Sequence, residues 1–233
     1  MIVPKVATEG IAVRGSDGLS FTVPTPVGVR MEQGAAAVDG TTVYHGLQGH
    51  PDVTVKPLES SVRISTVIWD DSQTTSFQYP LPEGVDAEVV PDGSVDLSRT
   101  VESEAEGVTA EFTAGIGHVD PAWAVDANGD SVPTEYVVAD GTLTQNVDVS
   151  DATFPVVADP TWGFTGPLQI RARWNRSETA TIAAGGWGSS TITGVGAGAG
   201  GAIAGPAGAA AFAAGCLATS GPAVYTAGVA QNS

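Results

Sequence analysis

Cysteine, positive charge and, over its last quarter, charge of either sign are what this 233-residue chain has least of. Cys216 stands alone, so no internal disulfide can form and no CxxC metal pair exists. Cysteine use therefore carries no sign of the redox compartment. Nine Lys and Arg face 26 Asp and Glu, a net charge of −17. A body this acidic repels phosphates, which excludes nucleic acid as the expected partner. Residues 179–233 contain no Asp, Glu, Lys or Arg. The opening Met1-Ile-Val-Pro-Lys5 has neither an apolar core nor a small-residue cleavage site, so no leader is read there. Gly-x-Ser-x-Gly, P-loop, dinucleotide and His-Glu-x-x-His signatures are all missing, and no nucleophile is paired with a base at a familiar spacing. The expectation is a protein that is not an enzyme and holds neither cofactor nor metal.

What is present divides unevenly. Residues 1–160 hold 6 Lys and Arg against 25 Asp and Glu, while residues 161–233 hold Arg171, Arg173 and Arg176 against Glu178. The acidic part is punctuated by Asp17-Gly18, Asp39-Gly40, Asp92-Gly93, Asn128-Gly129 and Asp140-Gly141. Such pairs supply the positive φ of tight β-turns. Between them lie short β-rich runs. In Ser61–Trp69, Val62, Ile64, Thr66 and Ile68 share one face, and Arg63 and Ser65 take the other. Further strands are expected at 19–23, 53–56, 75–79, 87–90, 95–97, 108–113, 134–139, 142–149 and 155–158. Pro24-Thr25-Pro26 and Pro80-Leu81-Pro82 suit edges or loops, because proline cannot donate to a ladder. No run has amphipathic helical spacing. The class expected for 1–160 is an antiparallel β-sandwich-like domain.

Three places could hold a cation. Glu102–Glu106 reads as a solvated turn. Asp126-Ala127-Asn128-Gly129-Asp130 resembles the start of a calcium loop but lacks its remaining ligands, so a hairpin turn is expected instead. His45 and His50 are five apart across a glycine-rich turn and, with His118, are expected in loops or at the surface. An enzyme would need one of the three to meet a carboxylate in a pocket.

The tail follows a different rule. From Gly194 to Gly215, 18 of 22 residues are Gly or Ala. Asn175 or Ser177 can cap a helix with Glu178 in its first turn. Gly185-Gly186 stops or bends it, and Pro206 can open another. The six Gly within 189–205 each cost such a helix ~1 kcal/mol relative to Ala. Close backbone approach is the compensation on offer. Gly194 and Gly198, Gly196 and Gly200, and Gly201 and Gly205 have small-xxx-small spacing, which suits a helical hairpin and self-association. Ile192, Val195 and Ile203 give membrane insertion only about −1 to −2 kcal/mol. Arg171, Arg173 and Arg176 around Trp174, with Trp162 and Phe164 nearby, have the make-up of an interfacial anchor on an anionic membrane.

Phe154-Pro155-Val156-Val157-Ala158-Asp159-Pro160-Thr161-Trp162 resembles a joint in uncharacterised exported actinobacterial proteins. Thr41–Tyr44, Pro121–Gly129 and Val132–Tyr136 are similar to the same proteins, so the resemblance covers about 40–160. It implies a β-rich region followed by a small variable module, with export and a leader already removed. Trp174-Asn175-Arg176-Ser177-Glu178-Thr179 and the Gly/Ala run resemble small secreted modules of bacteriocin-like character. The chain is therefore expected to comprise an acidic β domain (1–160), a basic and aromatic linker (161–176) and an uncharged, glycine-rich helical module (177–233). A secreted or cell-envelope, membrane-active toxin is the expected role. The alternative is an envelope-binding or structural protein with a packed tail.

Overall fold

A computed structural model describes residues 3–6, 10–14, 20–105, 108–163 and 170–173, and among them the regular structure is β throughout. The strands are β1 (Ile11–Arg14), β2 (Ser20–Val23), β3 (Ala35–Ala36), β4 (Thr42–Tyr44), β5 (Asp52–Pro57), β6 (Ser61–Ile68), β7 (Ser76–Pro80) and β8 (Asp86–Val89). They continue with β9 (Val95–Ala105), β10 (Val108–Val119), β11 (Trp123–Val125), β12 (Thr134–Ala139), β13 (Thr142–Val147), β14 (Val156–Asp159), β15 (Thr161–Gly163) and β16 (Ile170–Arg173).

Turn chemistry sets the punctuation. Gly40, Gly93, Gly129 and Gly141 all sit at positive φ. Asp140 joins Gly141 there at 48° and 68°, the two-residue geometry that joins β12 to β13 with matching twist. Five aspartates fold back onto the backbone two residues ahead: Asp39 on Thr41, Asp70 on Ser72, Asp92 on Ser94, Asp126 on Asn128 and Asp148 on Ser150. These are Asx turns, and they use much of the acidity as loop architecture.

The chain divides into two compact units. The larger contains Met1–Ser16, Ser20–Thr100 and Thr113–Arg171. Its main sheet runs β3-β4-β5-β6-β15-β10-β9-β8, taking β9 up to Thr100 and β10 from Thr113, with β14 on β6 and β11 on β14. A second sheet has the order β12-β13-β7, and β1 pairs with β2. All the registered pairs are antiparallel. β6 behaves as its alternation predicts, with Val62, Ile64, Thr66 and Ile68 fully buried. Facing them are Phe77 and Tyr79 of β7 and Leu143 and Gln145 of β13, also fully buried. Tyr79 meets Trp162 of β15 edge to face, with centroids 6.1 Å apart, so the inner face of the second sheet packs on the main one.

The smaller unit contains Asp17–Leu19, Val101–Phe112 and Ala172–Ser233. Within it Ser103 and Phe112 are buried, while Glu102 and Glu104 project outward. These two glutamates belong to strand β9, which corrects the expected solvated turn at 102–106.

The joint at the end of the acidic part is also corrected. β14 meets β6 with Ala158 opposite Thr66, and β15 meets it with Thr161 opposite Arg63. The register is the same on both sides of Pro160. Proline removes one donor without shifting the strand, and its carbonyl still accepts from Ile64 N at 3.0 Å. The expected boundary at 160 thus falls inside one sheet strand. Trp162 has no exposed surface and is core, not part of an interfacial linker. Residues 170–173, also expected in that linker, form β16.

Candidate functional site

Alternation along the joint strand points Val156, Ala158 and Trp162 inward, all three fully buried. Asp159 and Thr161 therefore belong to the outer face. Asp159 is nevertheless 1% exposed, because three neighbours cover it. Arg63 on β6 places Nε 3.0 Å from Asp159 Oδ2. Thr161 Oγ1 donates to the same oxygen at 2.7 Å. Trp123, opposite Asp159 on β11, lies beneath the guanidinium, whose carbon is 5.7 Å from the ring centroid. That is a cation–π distance.

Burial pushes the Asp159 carboxyl up to about 6; hydrogen bonds from Thr161 and Trp123 and the charge of Arg63 pull the other way, while Asp120 pushes it further up. Arg63 is 42% exposed, so water screens it and it offsets only part of the burial cost. On the inner side, the Asp159 carbonyl accepts from Tyr136 Oη at 3.2 Å and Gln145 Nε2 at 3.3 Å. One residue thus ties the two sheets through its backbone and the outer face through its side chain. Burial also pushes the Tyr79 and Tyr136 phenols far up, so neither phenol exchanges a proton near physiological pH.

His118 lies on the same outer face, opposite Gly163. Its Nε2 is 3.3 Å from Asp120 Oδ1. A Cβ on Gly163 would collide with the imidazole, so glycine is what lets the ring lie over β15. His45 meets Asp52 instead of His50: Nδ1 is 3.1 Å from Asp52 Oδ2, and Asp52 Oδ1 accepts from Gly46 N at 2.7 Å. Two histidines therefore meet carboxylates, both as partly exposed pairs.

Asp126 serves a turn and not a calcium loop. Its Oδ1 accepts from Asn128 N and Asp130 N, each at 2.9 Å, and its Oδ2 from Thr153 N at 3.0 Å. The Thr153 bond leads in holding its carboxyl below the usual range. Among the described residues no group of three or more His, Cys, Asp or Glu is placed to hold a metal, and no helix is long and apolar enough to cross a membrane.

Arg171 and Arg173, expected at a lipid interface, are strand residues of β16. Trp174, Arg176, Ser177, Glu178, Gly194, Gly198, Gly200, Gly201 and Gly205 lie outside the described residues. Sequence reasoning does not single out Asp159, Arg63 or Trp123 as a cluster. Its one available signal is an acidic residue inside an otherwise apolar strand at 156–162. No protein-family model, curated protein or solved structure matches the chain.

Proposed function

We propose that this is an exported, non-enzymatic protein in which an acidic β-sandwich-like part carries a membrane-active, bacteriocin-like helical hairpin. The observation that carries the reading is the run of 55 residues, 179–233, without an ionic side chain, attached to a part with a net charge of −19. The tail gains from leaving water or from packing against its own kind, and the acidic part keeps the whole soluble. Arg171, Arg173 and Arg176 supply the positive charge next to the tail, which favours anionic lipid.

The test is dye release from anionic vesicles by the full chain and by a peptide of residues 174–233. Release by the peptide, weaker in neutral vesicles, is the expected result. No release by either at micromolar concentration removes the reading. A second reading, an envelope-binding protein, is favoured by one observation: the outer face of the main sheet combines indole, guanidinium, imidazole and carboxylate groups.

A further inference from the structure

The outer face can be laid out strand by strand. Trp123 stands opposite Asp159. The unbroken β14–β15 register puts Asp159 opposite Ser65 of β6. Trp69 is the first residue after β6, four along from Ser65; alternation carried one residue past the strand end puts it on the same side, and it is 51% exposed. Four residues along a strand and two strands across place the two indoles about 17 Å apart. That is the span of a few sugar rings.

Both ends of this track are fixed. The loop after β6 is pinned by Trp69 N donating to Gln73 Oε1 at 2.7 Å and Ser72 N donating to Asp70 Oδ1 at 2.9 Å. At the other end the buried Asp159 holds Arg63 by Nε, leaving its two terminal amino groups to donate elsewhere. Beside it the His118–Asp120 pair offers a ring nitrogen and a half-exposed carboxylate. Donors and acceptors thus stand side by side next to an aromatic ring. A vicinal diol needs that combination, because each hydroxyl both donates and accepts.

We propose that this face, from Trp69 to Trp123, binds a neutral polysaccharide strand, with the indoles stacking on sugar rings and Arg63, His118 and Asp120 bonding hydroxyls. The proposal rests on the envelope-binding reading and names its ligand class. Charge selects the occupant: residues 1–160 carry −19, which repels polyanions. Between the indoles Val67 and Val157 are half-buried and Ser65 and Asp159 are buried, so the two rings are the large side chains this stretch offers to a ligand.

Affinity electrophoresis of the full chain through gels containing a neutral glucan, mannan, arabinogalactan or soluble chitin derivative tests this, with heparin as the polyanion. Retardation by at least one neutral polymer and none by heparin is expected. Trp69→Ala should weaken it about tenfold with an unchanged thermal midpoint, since that side chain is outside the core. Arg63→Gln provides a second readout, with its circular dichroism checked first. Sedimentation with envelope fragments tests the underlying reading. Sedimentation that no neutral polymer competes away overturns the glycan assignment alone; no sedimentation and no retardation overturns both. Retardation that Trp69→Ala leaves intact, or self-association abolished by that substitution, also refutes the proposal.

Discussion

Replacing Asp159 with asparagine probes the buried carboxyl at almost constant volume. A group raised from an ordinary 3.8 to about 6 makes the folded state bind a proton that the unfolded chain has already released. Its contribution is complete below about pH 4 and is lost as pH rises through 6, a change of about 3 kcal/mol. An amide has no such proton. It forfeits the charged bond to Arg63, but that loss is the same at every pH above the wild-type transition. The quantity to read is therefore the difference in unfolding free energy between variant and wild type, followed with pH. It should move in favour of the Asp159→Asn variant by about 3 kcal/mol between pH 4 and pH 7.5. Urea titrations monitored by indole fluorescence suit the measurement, because Trp162 is fully buried and reports loss of the core. A difference that stays flat from pH 4 to pH 7.5 would refute the argument, and would mean that Arg63, Thr161 and Trp123 together match the solvation Asp159 gave up.

Two further outcomes follow from the same geometry. The turn carboxyls of Asp39, Asp70, Asp92, Asp126 and Asp148 are all held low, Asp39 at about 2; hydrogen bonds to Thr41, Ser72, Ser94, Thr153 and Ser150, respectively, lead as the cause. Their contribution is complete above about pH 4 and is lost as pH falls through the folded values, whereas that of Asp159 starts to fall as pH rises above about 4, so thermal stability should peak at about pH 4; a midpoint still rising beyond pH 7 in circular dichroism melts contradicts this. Gly163→Ala should displace the half-exposed His118 ring from β15 and destabilise by no more than about 1 kcal/mol, because the ring can turn towards water, and adding His118→Ala should recover most of that loss in urea titrations; equal losses in the single and double variants would place the strain elsewhere.

Much of the β part is legible in the sequence because two local rules determine it. Period-two alternation marks β6, and Asp-Gly or Asn-Gly pairs mark turns at 40, 93, 129 and 141. The misses have physical causes as well. β15 is hidden by Pro160, which usually ends a ladder but here costs one donor in a strand whose other bonds hold. The strand expected at 95–97 extends through β9 to Ala105, because Glu102 and Glu104 look like loop residues until the buried Ser103 between them shows strand alternation. β11 has only three residues, too few for any period to register. The Asp159 cluster brings together residues 63, 123, 159 and 161 from strands far apart in sequence. Only the pairing of β6, β11, β14 and β15 makes them neighbours.

The joint itself then has a different meaning from a hinge between two parts. A hinge would expose its backbone and tolerate most side chains. Here the strand sits between β6 on one side and β10 and β11 on the other, and each position is committed. Trp162 fills the core against Tyr79. The Asp159 carbonyl receives two bonds from the facing sheet, and its carboxyl holds Arg63 over Trp123. Gly163 makes room for His118. An acidic residue in this setting costs stability at neutral pH, so its contribution lies in what it orients more than in what it stabilises. What it orients is a guanidinium on the outer face, beside an indole. That guanidinium and indole are the groups on which the proposed glycan face depends, whatever the uncharged tail does.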